Sequence, residues 1–139
     1  MILDLAARTR WKRGRAGERD GSALVSYTEF RPRSLRDMPA IYRASERLRD
    51  EGVRLEGAIG IVTYWQPFRR CVGSLSFWTG EDALRRFVSL PFHVEIMRAY
   101  RDRGRLRAVS WRTDDLRLRP AFARGRRALS EGMGRQGQR

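Results

Sequence analysis

The segment that decides the fold is Cys71-Val-Gly-Ser-Leu-Ser-Phe-Trp78, followed by Thr79-Gly-Glu-Asp82, Pro91-Phe-His93 and Arg105-Leu-Arg-Ala-Val-Ser-Trp111. It reads in order as a strand, a helix start, a proline that breaks and restarts the helix, and a closing strand. Thr79 is a good N-cap, and Glu81 and Asp82 set negative charge against the positive end of the helix dipole. Ala83, Leu84, Phe87 and Val88 make one apolar stripe. Pro91 removes an amide from the ladder, and Phe92, Ile96, Met97 and Tyr100 resume a stripe up to Gly104.

Upstream of that unit the pattern repeats. Ala23-Leu-Val-Ser-Tyr-Thr-Glu-Phe30 is rich in β-branched and aromatic residues and reads as a first strand ending at Arg31-Pro32. Ser34 with Asp37 three residues on resembles a capping box. Leu35, Met38, Ile41, Tyr42, Ser45 and Leu48 then recur at helical steps, with Pro39 in the first turns and Gly52 near the end. Gly57-Ala-Ile-Gly-Ile-Val-Thr-Tyr-Trp65 gives a second strand, joined through Gln66-Pro-Phe-Arg69 to the third as a hairpin.

The order β-α-β-β-α-β is the ferredoxin-like split β-α-β unit, an α+β fold with a four-stranded antiparallel sheet and both helices on one face. The other face also needs cover, because both alternating sets on the strands are apolar. Alternation puts Ile59, Ile61 and Trp65 on one set and Val62 and Tyr64 on the other, with Leu75 and Phe77 against Val72 and Trp78. Two copies packed sheet to sheet would provide that cover, so a homodimer is expected.

With 139 residues, 41% of them hydrophobic, the chain supports one core. Residues 1–21 read as a basic arm, 22–112 as the barrel domain and 113–139 as a basic, partly helical extension. Apolar periodicity fails at both ends, in Lys12-Arg-Gly-Arg-Ala-Gly-Glu-Arg-Asp-Gly21 and Gly132-Met-Gly-Arg-Gln-Gly-Gln-Arg139, which read as mobile or loosely docked. The latter run matches G-x-G-x-x-G by letter but lacks the strand and helix that give the motif meaning.

No run of about 18 apolar residues exists, so no membrane partner is expected and the reading is a soluble, cytoplasmic protein. Cys71 is the only cysteine and His93 the only histidine, which excludes an intrachain disulfide and a Cys/His zinc cluster. The formal charge of +14 points toward polyanions, yet 29 of the 30 basic residues are arginine, the mark of a GC-rich coding bias. Charge is densest at the ends, so the basic ends read as solvated tails, with nucleic acid unlikely as a partner beyond nonspecific adhesion through residues 8–19 and 117–127.

The residues Ser74-Leu-Ser-Phe-Trp78, the acidic helix start, Ala83-Leu-Arg-Arg-Phe87, Pro91-Phe-His93 and Met97-Arg-Ala-Tyr100, with a strand ending in Trp111, resemble the dimeric α+β barrel superfamily. Within it, roughly residues 22–112 are similar to monooxygenase-like proteins related to antibiotic-biosynthesis monooxygenases and spheroidene monooxygenase. The resemblance implies a cavity for a hydrophobic aromatic or polyene molecule. It also implies one of two chemistries, cofactor-free oxidation or haem, since members of the superfamily do either and some have no known activity.

On that resemblance His93 is the catalytic candidate, as a general base or as the axial ligand of haem iron. Trp65, Trp78 and Trp111, with the hydroxyls of Tyr27 and Tyr64, form a candidate substrate-binding surface, although the same aromatics suit a core. Ser74 and Ser76 share a strand face and are candidates to orient a substrate carbonyl. Against the enzyme stands a noncatalytic ligand-binding or structural dimer, in which His93 is incidental.

Overall fold

A computed structural model of the chain describes Ala7–Arg8, Lys12–Arg13 and residues 22–136, with side chains described over 22–131. The elements run β1 (Ala7–Arg8), β2 (Lys12–Arg13), β3 (Ala23–Pro32), α1 (Met38–Gly52), β4 (Ala58–Gln66), β5 (Cys71–Trp78), α2 (Glu81–Val88), α3 (Pro91–Tyr100), β6 (Gly104–Thr113) and α4 (Leu118–Gln136). The sheet order is β1-β4-β5-β3-β6, with β2 also on β4. Every pairing is antiparallel. The four long strands are thus in the ferredoxin-like order, with β5 between β3 and β4 and β3 between β5 and β6. The first helix and the α2–α3 pair are the crossovers.

Local chemistry explains the element ends. Ser34 Oγ accepts from the Arg36 amide at 3.3 Å and starts a single 3-10 turn, Leu35–Asp37, from which α1 continues with Pro39 in its first turn. Asp37 caps nothing and instead pairs with Arg103 at 3.2 Å, so the reciprocal half of the expected capping box is missing. Thr79 is not the cap of α2: Gly80, in extended conformation, holds that place and makes no side-chain cap, while the Thr79 amide bonds Gly57 O at 2.8 Å.

Residues 1–21 read from sequence as a mobile or loosely docked arm. Its described residues, Ala7–Arg8 and Lys12–Arg13, pair with the outer edge of β4, and its other residues lie outside the described ones. At the other end α4 runs on to Gln136, so the first five residues of the glycine-rich run lie in a helix.

The sheet separates two packed layers. On the helix side, Leu24, Ala58, Ile61 and Trp78 pack with Val53, Ala83 and Phe87, while Val72 packs with Met38 and Ile41. On the outer side, Val25, Tyr27, Ile59, Val62, Tyr64, Leu75 and Phe77 form the largest cluster, together with Ala121, Phe122 and Leu129 of α4. Ile59 lies on the outer face, opposite to the side that strict alternation assigns it. The register slips between Ala58 and Gly60, and this bulge turns Ile59 over.

Cover for the outer face comes from the same chain. Phe122 stands edge-on to Tyr27 and Tyr64, with centroids at 6.1 and 5.5 Å. Gly125 lets α4 approach closely, since a Cβ there would lie 2.5 Å from Tyr27 Cγ. A second glycine, Gly73, leaves room for the Tyr64 hydroxyl to reach across β5 and donate to Thr28 O at 2.8 Å; a Cβ would lie 2.5 Å from Tyr64 Oη.

Candidate functional site

The proline that breaks the second crossover also sets α3 apart from the other helices. α1 and α2 each bury residues, whereas none of the ten residues of α3 is buried. α3 rests on its neighbours at its two ends. At the start, Arg47 of α1 lies over the Phe92 ring at 3.7 Å, and the His93 ring meets the edge of Phe87 at 5.1 Å. At the finish, Tyr100 meets Phe30 on β3 at 6.5 Å. Phe87 in turn stacks on Trp78, which pairs in register with Leu24. α3 is thus tied to the Phe30 end of β3 by Tyr100 and, through Phe87 and Trp78, to its Leu24 end.

Between those two rests the sheet presents hydroxyls. Ser26, Thr28 and Ser74 are half-buried on the helix side, and their register partners on β6 are Ser110, which is exposed, and Ala108, which is half-buried. Thr28 Oγ1 lies 3.0 Å from Ser74 Oγ and accepts from the Ser74 amide at 3.2 Å. These residues interrupt the core, separating the Leu24–Trp78–Phe87 cluster from the Met38–Ile41–Val72 cluster. They make a polar strip with an aromatic group at each end, open along β6.

His93 stands at one end of the strip. Its Nδ1 is buried, and no other residue hydrogen-bonds it. Burial holds the imidazole below its ordinary value of 6.5, so it is neutral at physiological pH. Ser76 is next along β5 but is buried and accepts from Trp78 Nε1 at 2.8 Å, so its hydroxyl positions the indole. Trp65 sits at the far end beside Tyr42, ring centroids 5.6 Å apart, with its Nε1 buried and unpartnered.

The sheet separates the sequence-derived site residues into two groups. His93, Trp65, Ser74, Ser76 and Trp78 are on the helix side. Tyr27, Tyr64 and Trp111 are on the outer side under α4, where Tyr27 and Tyr64 stack at 5.8 Å in the core. The single aromatic pocket drawn from three strands is thus corrected: Trp111 and the two tyrosines cannot reach a ligand that touches His93. Side-chain alternation carried this information for Tyr27, Tyr64 and Trp111. Sequence reasoning missed Ser26, Thr28 and Ser110, which align only once the strand register is known.

Elsewhere, two open surface hollows of about 540 and 340 Å³ are lined by Leu55, Asp82, Arg85, Arg86, Ser89 and Leu90, and by Arg33, Ser34, Arg36, Asp37, Asp102 and Arg103. Neither adjoins the strip. Among the described residues no group of three or more His, Cys, Asp or Glu side chains is placed to hold a metal ion, and no helix is long and apolar enough to cross a membrane.

No family model and no curated relative matches the sequence. Solved structures do match. SnoaB, a cofactor-independent oxygenase from Streptomyces nogalater, superposes with a TM-score of 0.54 at 15% identity, over 71% of this chain and 99% of that one. A candidate antibiotic biosynthesis monooxygenase from Nitrosomonas europaea matches at 0.58 and 8% identity, over 71% and 95%. A conserved protein from Bacteroides thetaiotaomicron, described as a possible oxidoreductase, matches at 0.58 and 12%, over 66% and 98%.

The chain shares the ferredoxin-like α+β fold of these structures. At these identities the likeness is one of architecture, and the fold carries no reaction with it. α4 and the N-terminal strands extend beyond the β-α-β-β-α-β unit.

Proposed function

We propose that the strip beneath α3 binds a flat aromatic molecule bearing ring oxygens, and that the protein oxidises it with O2 without haem, His93 serving as the base. The observation that carries this reading is the His93 imidazole: it is kept neutral by burial, no other residue bonds its Nδ1, and it stands on the same side of the sheet as the Ser26, Thr28 and Ser74 hydroxyls. A neutral imidazole accepts a proton, and the half-buried Ser26, Thr28 and Ser74 hydroxyls suit carbonyl or phenol oxygens better than a bare polyene. That SnoaB is a cofactor-independent oxygenase supports the same choice.

Haem fits these residues poorly. A histidine ligating haem iron is ordinarily oriented by a hydrogen bond from its second nitrogen to a carbonyl or carboxylate. No other residue gives His93 Nδ1 such a bond, and Phe87 stands against its ring. No step is therefore assigned to haem.

The reaction balances through the side chain. A ring CH2 flanked by a carbonyl or phenol loses a proton to His93, and the resulting carbanion reduces O2. One oxygen atom becomes the ring carbonyl. The other leaves as water, carrying the proton from His93 and the second ring hydrogen.

Oxygen uptake with an anthrone-type substrate tests this reading, measured for the purified chain and for His93→Ala, with ligand binding followed by tryptophan fluorescence. The expected result is one O2 consumed per substrate and a rate lower by roughly 10²-fold or more in the variant, with binding largely kept. Binding without uptake would make the protein a ligand carrier. Equal rates in both would remove His93 as the base.

A further inference from the structure

Charge is unevenly distributed over the fold. Residues 104–131 hold eight arginines and three acids, a net +5, while the much longer 22–103 holds fourteen arginines and ten acids, a net +4. On the helix side three exposed arginines meet acids, Arg47 with Glu51 at 3.1 Å, Arg85 with Asp82 at 3.2 Å and Arg103 with Asp37 at 3.2 Å, while Arg43, Arg98 and Arg101 make no ion pair among the described residues. On β6 and α4, Arg107 is engaged by Glu29 and Arg117 by Asp115. Among the described residues no carboxylate pairs with Arg105, Arg119, Arg124 or Arg127. Coding bias explains arginine in place of lysine, but it explains neither the sign of the charge nor its concentration on one side.

These side chains share one surface. α4 buries Ala121, Phe122, Gly125 and Leu129, so helical periodicity places Arg119, Arg124 and Arg127 on its opposite side, where all three are exposed. The Arg124 guanidinium lies over the Trp111 ring at 5.1 Å and ties this row to β6, where Arg105, on the same face as Trp111, is also exposed.

We infer that β6 and the solvent face of α4 form a docking surface for the phosphate backbone of a nucleic acid, read without base specificity. The three α4 guanidiniums span eight residue steps, about 12 Å of helix, and face a polyanion whose charges recur at intervals of a few ångströms. A lipid surface fits less well, because the exposed large hydrophobics, Leu35, Phe68, Val88 and Met97, all lie outside this surface. The inference is independent of the reaction proposed for the strip, which opens on the other side of the sheet.

Fluorescence anisotropy with a short labelled duplex DNA and a single-stranded RNA, over a salt series, tests it. Four phosphate contacts would give a slope of log affinity against log salt of about −3.6 on duplex DNA. The variant Arg119→Glu/Arg124→Glu/Arg127→Glu is expected to lower affinity more than about tenfold and flatten the slope by about 3. The variant Arg43→Glu/Arg98→Glu/Arg101→Glu changes net charge equally on exposed positions of α1 and the α3 end, and should stay much closer to wild type. Arg127→Glu alone, flattening the slope by about 1, serves if the triple variant does not fold. Equal losses in the two triple variants would overturn the inference in favour of net charge alone. No wild-type binding, or binding only to anionic phospholipid vesicles run in parallel, would also overturn it.

Discussion

The two faces of one sheet are built for different ends. Beneath α4, tyrosines, valines and phenylalanines interlock into the largest core, and even the polar groups there are committed: the Tyr64 hydroxyl to Thr28 O, the Glu29 carboxylate to two guanidiniums. Beneath α3, a helix with no buried residue spans a row of half-buried hydroxyls and a histidine nitrogen without a protein partner. A face that could have been filled with apolar side chains and is lined with serine and threonine gives up stability. Such a face suits a ligand.

The contrast predicts that the largest stability losses lie under α4. Phe122→Ala removes the ring that bridges Tyr27 and Tyr64 and is expected to cost about 3–5 kcal/mol, read as a shift in the urea midpoint. Gly125→Ala puts a Cβ against Tyr27 and should lift α4. An uncovered outer face would then recruit a second copy, so sedimentation of this variant should shift toward the dimer that apolar strands on both faces suggest. Unchanged stability in both variants would remove α4 as the cover.

Next in size is Glu29, which is 2% exposed and bonded through one oxygen by Arg31 Nε and Arg107 Nη2, both at 2.7 Å. Burial alone would raise the carboxyl, but the hydrogen bonds from Arg107 and Arg31, with their charge, hold it below its ordinary 4.5. The ionised group therefore stabilises the fold above that value, and the contribution is lost as pH falls through the lower folded value. Glu29→Gln should cost about 2–3 kcal/mol, less than a fully buried pair because Arg31 reaches solvent, and should flatten the acid limb of a stability-versus-pH curve.

Under α3 the changes should be small in stability. Ser74→Ala breaks the contact with Thr28 and is expected to cost about 1 kcal/mol in urea unfolding while weakening ligand binding, the reverse of the balance at Phe122. His93 gives the smallest expected effect. Its folded value is lowered, so the unfolded chain takes up the proton first as pH falls below about 6.5, and stability present above that pH is lost toward the folded value. His93→Gln should abolish that slope. A wild-type curve already flat from pH 7 to pH 5 would mean that the imidazole is not held neutral.

Much of this architecture is legible in the residues. Pro91 marks the break between α2 and α3, Pro67 and Arg70 sit in the β4–β5 turn, and Cys71–Trp78 is a strand over its full expected length. Hydrophobic period and turn chemistry act locally, and local signals survive in sequence. What failed depended on distant partners. The Ala58/Gly60 register slip that turns Ile59 outward is visible only against β5. The five aromatics assigned to one pocket fall on two faces because residue type says an aromatic is buried without saying in which layer. The hydroxyl row needs β3, β5 and β6 aligned at once. The docking of α4 rests on Gly125 and Phe122 meeting Tyr27, side chains about a hundred residues apart in the chain.

The most direct test of the two-face account is amide chemical-shift mapping during titration with a hydroxylated polycyclic aromatic. Shifts concentrated at Ser26, Thr28, Ser74, Ser110 and His93, with Tyr27, Tyr64 and Phe122 unmoved, are the expected result. Shifts centred on Tyr27, Tyr64 and Phe122 would place the ligand beneath α4 and contradict the account.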